Sequence, residues 1–131
     1  MATVHQERIK IRWRDVDAYQ HVNNAVYLTY LEECRDAWVH LVMGPSFDFV
    51  IVRIAIDYRD ELSLDDREIV ATCAGSGYGT SSIQTVERVM KLDGRASAQA
   101  ESVIVAHDTQ RRKARPLTEA ERATLDAAIR S

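Results

Sequence analysis

Between Asp15 and Tyr27 the chain reads Asp-Val-Asp-Ala-Tyr-Gln-His-Val-Asn-Asn-Ala-Val-Tyr, which gathers two carboxylates, an imidazole and two carboxamides into one short stretch. A turn needs one or two Asp or Asn side chains to bond its own backbone, and a helix start needs one cap. The inventory exceeds both duties. The surplus, chiefly Asp17 and His21, suits proton transfer, because a carboxylate can serve as general base or nucleophile and an imidazole exchanges protons near neutrality. A zinc site built on Asp15, Asp17 and His21 is excluded by ligand count, since no second His or Cys lies close in sequence.

The flanking patterns say what must position this cluster. From Val4 to Arg14 apolar and polar residues alternate, with Ile9, Ile11 and Trp13 on one side and Arg8, Lys10, Arg12 and Arg14 on the other, the period of a half-buried strand. From Asn24 to about Met43 the period becomes helical. Tyr27, Tyr30, Leu31, Cys34, Trp38 and Leu41 form one face, with Glu32, Glu33, Arg35 and Asp36 opposite, Asn23 or Asn24 as cap and Gly44-Pro45 as the stop. Four strand-like runs follow, Phe49 to Arg59, Arg67 to about Gly77, Ser81 to Lys91 and Arg95 to His107, with a hairpin turn expected at Leu92-Asp93-Gly94. A linker-like stretch rich in Gln, Arg and Lys, Asp108 to Pro116, reads as a loop and leads to a last helical segment from Thr118 to Arg130, whose opening suits a capped start. Successive strands without crossover helices exclude a Rossmann-type unit and favour one antiparallel sheet wrapped around the long helix.

With 131 residues the chain fits one domain, and an elaborate site would be shared with another copy. The formal charge of -3 and pI near 5.8 argue against nucleic acid and leave a small molecule as the expected partner. No run approaches the ~20 apolar residues of a membrane span, and the start lacks the apolar run of a secretory signal, so a cytoplasmic protein is expected. Cys34 and Cys73 fall in apolar-periodic segments outside any C-x-x-C pair and read as buried thiols. Gly75-Ser-Gly-Tyr-Gly79 is not a dinucleotide cradle, because a strand pattern rather than a helix follows it; a bulge is expected there.

The segment Arg12-Trp-Arg-Asp-Val-Asp17 followed by His21-Val-Asn-Asn-Ala-Val-Tyr-Leu28, in this order of elements, resembles the hotdog-fold thioesterases of the 4-hydroxybenzoyl-CoA thioesterase and bacterial acyl-CoA thioesterase branch. It is also similar to the corresponding stretch of plant acyl-ACP thioesterases. The resemblance covers most of residues 6 to 108. It implies an α+β hotdog fold, a five-stranded antiparallel sheet curled around the long helix, in homodimers joined sheet edge to sheet edge and often in tetramers. The activity it implies is hydrolysis of an acyl-CoA or acyl-ACP thioester, with no cofactor, coenzyme A being part of the substrate. Asp17 falls on the catalytic carboxylate of the family, as general base or nucleophile, and Asn24 on the residue whose backbone N–H polarises the carbonyl. His21 would assist, and Glu61 falls on a glutamate of the plant enzymes that activates water. Tyr19 stands where the plant pattern has asparagine, and with Asn23 and Tyr27 it is expected beside the substrate. Ser81 and Ser82 are expected near the pantetheine arm, and Arg111 and Arg112 near the phosphates. Asp15 is expected to order the turn by pairing with Arg12 or Arg14. A non-catalytic acyl-thioester binder and a hotdog hydratase or dehydratase are the alternatives; for the latter the helix offers only Glu32, Glu33 and His40.

Overall fold

A computed structural model describes residues 2–130. Strand β1 (Val4–Lys10) leads through a short turn of 3-10 helix (Trp13–Asp15) into the long helix α1 (Asn24–Met43). Then come β2 (Phe49–Tyr58), a second 3-10 turn (Leu64–Asp66), β3 (Glu68–Tyr78), β4 (Ser82–Lys91), β5 (Ala96–Asp108), a two-residue β6 (Lys113–Ala114) and helix α2 (Glu119–Ile129). The main sheet is antiparallel in the order β1-β3-β4-β5-β2, with β6 added to β5. It curls around α1 as expected of the hotdog fold; the basic stretch after β5 is not wholly a loop, since it folds back as β6.

The first strand is shorter than its alternation predicts. It stops at Lys10, because the chain turns at Arg12–Asp15, where the Asp15 carboxylate accepts the Arg12 N–H and the Arg12 carbonyl accepts the Asp15 N–H, each at 2.9 Å. The period therefore breaks before Trp13, which is 82% exposed instead of joining Ile11 in the core. The expected turn at 92–94 forms, with the Lys91 N–H donating to the Arg95 carbonyl at 2.8 Å. The glycine-rich stretch contains a register shift between Gly75 and Gly77. Gly75 has a packing reason as well, since a Cβ there would stand 2.8 Å from the Trp38 ring.

Burial on α1 corrects the expected face at two positions. Leu41 is exposed and Arg35, placed on the polar side by periodicity, is buried at 4% exposure. Its guanidinium meets Glu87 of β4 through Nε and Nη2 at 2.9 and 3.0 Å. The hydroxyls of Thr85 and Ser102 also donate to Glu87 Oε2. Removing a charge from water is costly, and this geometry offsets the cost, since no buried side-chain donor or acceptor among the described residues lacks a partner. Cys34 and Cys73 are buried free thiols, as expected, and burial pushes Cys34 up to about 12. On the far side Arg115 reaches both Glu121 oxygens at 2.8 Å and lies over the Phe47 ring, which fastens α2 to the domain.

The two sheet edges differ. Outward positions of β1 are largely polar and charged, with Gln6, Arg8 and Lys10 exposed, a pattern that discourages pairing with another strand. β2 exposes Val50, Ile51 and Val52, and α1 packs over β1, β3 and β4 rather than over β2. Arg35→Met, which leaves Glu87 buried and uncompensated, is expected to cost roughly 3 kcal/mol or more, and Arg35→Met with Glu87→Leu to regain much of it. Urea midpoints of the two variants against the parent measure both effects.

Candidate functional site

The polar cluster is held in place from beneath by Asp15. Its carboxylate, 2% exposed, accepts the Arg12 backbone N–H at 2.9 Å, the Arg12 guanidinium at 3.1 Å and the Tyr30 hydroxyl at 2.7 Å. Its carbonyl accepts the Asn23 N–H at 2.9 Å. Burial alone would raise the Asp15 carboxyl; the Arg12 N–H, the Tyr30 hydroxyl and the guanidinium outweigh it and hold the group below the ordinary carboxylate range. Asp15 thus ties the end of the strand, the middle of α1 and its cap together, the structural duty expected of it, with Arg12 as the partner.

Above this anchor the chain closes a small loop. Val16 and Val22 form an isolated bridge, the Asp17 N–H donates to the His21 carbonyl at 3.0 Å and the Gln20 N–H to the Asp17 carbonyl at 2.9 Å. Gln20 closes the turn with φ 66°, the left-handed region that non-glycine residues seldom occupy. Asp17 Oδ1 accepts the Tyr19 N–H at 2.9 Å, and Oδ2 has no protein donor among the described residues. The half-exposed carboxylate is therefore oriented by the backbone while keeping one oxygen available.

At the start of α1 the Asn23 side chain accepts the Ala25 N–H at 2.9 Å, which makes Asn23 the cap. Among the described residues no acceptor is present for the Asn24 N–H. It is one of the donors a helix start leaves unpaired, at the positive pole of a twenty-residue helix. His21 Nε2 lies 2.9 Å from Glu61 Oε2, so the fold brings together two site residues separated by forty positions. With Asn24, Tyr27 and Tyr58 they line a hollow of about 260 Å³. Asp17 lines a neighbouring hollow of about 390 Å³, with Trp13, Val16, Ser63 and Leu64 on its walls. Adjacent parts of the segment 58–65 wall both.

Tyr27 is buried, and its hydroxyl is already engaged with Ser97 Oγ at 2.9 Å, so it offers its ring rather than a free donor. Tyr19 is exposed. Ser81, Ser82, Arg111 and Arg112 are set apart. Ser82 pairs with Val105 and Arg111 lies just beyond β5, whereas Asn24 sits beside Tyr58 at the opposite end of β2, about 30 Å away along a ten-residue strand. One chain alone does not bring them to the hollow. Sequence patterning misses Trp13, which it places in the core, and Tyr58, whose hydroxyl donates to the Asn24 carbonyl at 2.8 Å. The available signal for Tyr58 is its place at the end of an alternating strand three residues before Glu61. No group of three or more potential metal ligands occurs among the described residues.

The sequence pattern of the thioesterase-like superfamily matches residues 11–125. The chain is 35% identical over 117 residues to the long-chain acyl-CoA thioesterase FadM of Escherichia coli K12, spanning 83% of this chain and 87% of that protein. Among solved structures, a Thermus thermophilus thioesterase complexed with coenzyme A and Zn superposes with a TM-score of 0.81 at 32% identity, over 95% of this chain and 94% of that one. The probable thioesterase YbaW of Escherichia coli gives 0.78 at 30% identity, over 96% and 99%.

A carboxyl held below its ordinary value contributes stability above that value and loses it as pH falls through the folded value. Asp15, lowered from 3.8, therefore ties the frame of the site to the acid limb of the stability curve. Asp15→Asn is expected to lower stability at neutral pH and to flatten its decline below about pH 4, a difference that urea midpoints measured across acid pH would reveal.

Proposed function

We propose that this chain, which belongs to the thioesterase-like superfamily and is a thioester hydrolase, cleaves acyl-CoA with Asp17 and the Asn24 amide as its reacting groups. The single observation that supports the site assignment most is the unpaired Asn24 N–H at the capped start of α1, with the oriented Asp17 carboxylate in the next hollow. Thioester hydrolysis builds negative charge on the carbonyl oxygen. A fixed N–H at the positive end of a helix stabilises that charge without reorganising, and one such donor is worth roughly 3 kcal/mol of barrier. Asp17, with one oxygen steadied by the Tyr19 N–H, acts as general base on water, or attacks the carbonyl itself with water then opening the anhydride. His21, beside Glu61, assists by holding water or by protonating the departing thiolate.

The acyl chain belongs on the apolar inner face of β2, where Ile54 and Ile56 are half-buried and Leu28 of α1 is exposed. The long-chain substrate named for FadM makes long acyl chains the first class to test. Val50, Ile51 and Val52 on an unpaired edge are an aggregation hazard unless another strand covers them. A second copy pairing there about a two-fold axis runs antiparallel. It would carry the partner's Ser82 and the partner's Arg111 from the far end of its sheet toward this chain's Asn24. The expected roles of Ser81, Ser82, Arg111 and Arg112 at the coenzyme A moiety belong to that arrangement, and so does a homodimer as the working unit.

The decisive variant is Asn24→Pro. Proline is favoured at the first helical position, and Asn23, at φ -60° and ψ 138°, already has the extended backbone that proline requires of its predecessor. The substitution replaces the N–H by the ring Cδ while keeping a helix start, so thiol release from acyl-CoA is expected to fall roughly 100-fold or more with the fold intact, whereas Asn24→Ala, which loses the carboxamide but keeps the N–H, stays near the parent. Asp17→Asn should lose a comparable factor; an unchanged rate would transfer the chemistry to another group. A graded series from acetyl- to palmitoyl-CoA, read by free thiol, is expected to favour the long chains. Tight binding without thiol release would instead identify a binding protein, and hydration of an enoyl-CoA would identify a hydratase.

A further inference from the structure

We infer that Tyr58 is a positioning residue for the hydrolysis, its hydroxyl holding the first turn of α1 where the Asn24 amide can meet the thioester oxygen. The inference rests on the assignment of Asn24 as the oxyanion donor. Tyr58 is the last residue of β2, and its Oη donates to the carbonyl of Asn24 at 2.8 Å. The ring has separate support. It meets Tyr27 edge-on, with centroids 5.1 Å apart and planes at 87°, and Tyr27 is held by Ser97, whose hydroxyl also donates to the Asp60 carbonyl. Ring placement therefore does not depend on the hydroxyl, which makes one bond, to the residue that carries the unpaired amide.

That bond matters because a helix start is the least constrained part of a helix. Its first N–H groups have no preceding turn to bond, so the setting of the terminal peptides depends on the cap and on outside contacts. Asn23 fixes the peptide that follows Asn24, through the Ala25 N–H. Tyr58 grips the carbonyl of that same peptide from the sheet. Together they set the peptide that follows Asn24. The Val26 N–H, donating to the Asn23 carbonyl at 2.9 Å, ties this first turn to the peptide that carries the Asn24 N–H and so to the direction in which that N–H points. The acceptor in the transition state is small, so misdirection of the donor lowers the rate of the chemical step without affecting recognition of the coenzyme A or the acyl chain.

Tyr58→Phe removes the hydroxyl and keeps the ring. The expected result is a kcat lower by about tenfold, below the roughly hundredfold cost of a 1 Å misplacement, with KM nearly unchanged and the thermal midpoint close to the parent. Binding of an S-alkyl coenzyme A thioether, which has no carbonyl for the amide to contact, should not change. In the Asn24→Pro background, where the amide is gone, Tyr58→Phe should add no further loss at high enzyme concentration. An unchanged kcat in Tyr58→Phe, a change confined to KM, weaker thioether binding, or a full additional loss in the double variant would each overturn the inference. Failure of the underlying assignment is separable from these, since it shows in Asn24→Pro alone as a folded variant with undiminished activity. If the proline variant does not fold, the kcat-against-KM split and thioether binding of Tyr58→Phe still decide the matter.

Discussion

The buried carboxylate of Asp15 is the constraint on which the arrangement of the site depends. A charge removed from water must find partners, and the partners available here belong to three different parts of the chain: Arg12 at the end of the first strand, Tyr30 within α1 and, through the Asp15 carbonyl, the N–H of the helix cap Asn23. Satisfying one residue therefore fixes the exit of β1, the rotation of α1 and the point at which α1 begins. The loop from Asp17 to His21 is suspended between these fixed points. It tolerates a left-handed Gln20 because its ends cannot drift.

Along α1 the ion pair of Arg35 and Glu87 performs the corresponding duty for the helix as a whole. Apolar packing against a sheet allows a helix to slide with little penalty, whereas a forked guanidinium meeting a carboxylate within the core has one good geometry. The pair sits among hydroxyls from β4 and β5, so the helix is referenced to the centre of the sheet. The two buried charged anchors, Asp15 and the Arg35–Glu87 pair, give an otherwise apolar contact a defined register. The unpaired donor at its first turn is thereby held against β2 and the 58–61 corner.

The groups proposed for the chemistry differ in kind from those that serve the frame. Asp15 and Arg35 are buried with every partner in place, while Asp17, His21, Asn24 and Glu61 keep an available oxygen, an exposed ring or an unpaired N–H. Complete and incomplete satisfaction of polar groups thus stand side by side within a stretch of similar residue types. The apolar flank of β2 belongs with the incompletely satisfied groups, since it too is unfinished within one chain.

Much of this is legible without coordinates. Alternation and helical periodicity locate β1, α1 and the four later strands, because local hydrophobic patterning mirrors which face is buried. The polar surplus between Asp15 and Tyr27 marks the loop, since turn and cap chemistry cannot absorb it. Periodicity fails where long-range partners override it. It assigns Arg35 to solvent because nothing in that neighbourhood announces Glu87, 52 positions away. It assigns Trp13 to the core because the Arg12–Asp15 bonds that end the strand act only once the chain turns. The meeting of His21 with Glu61, the bond from Tyr58 to Asn24, the distance of Arg111 and Ser82 from the hollow, and the uncovered flank of β2 are likewise decided by the tertiary structure alone. The residue types and the local periods are properties of the chain read along its length; partners for buried charge and gaps in a sheet edge exist only when distant segments are placed side by side.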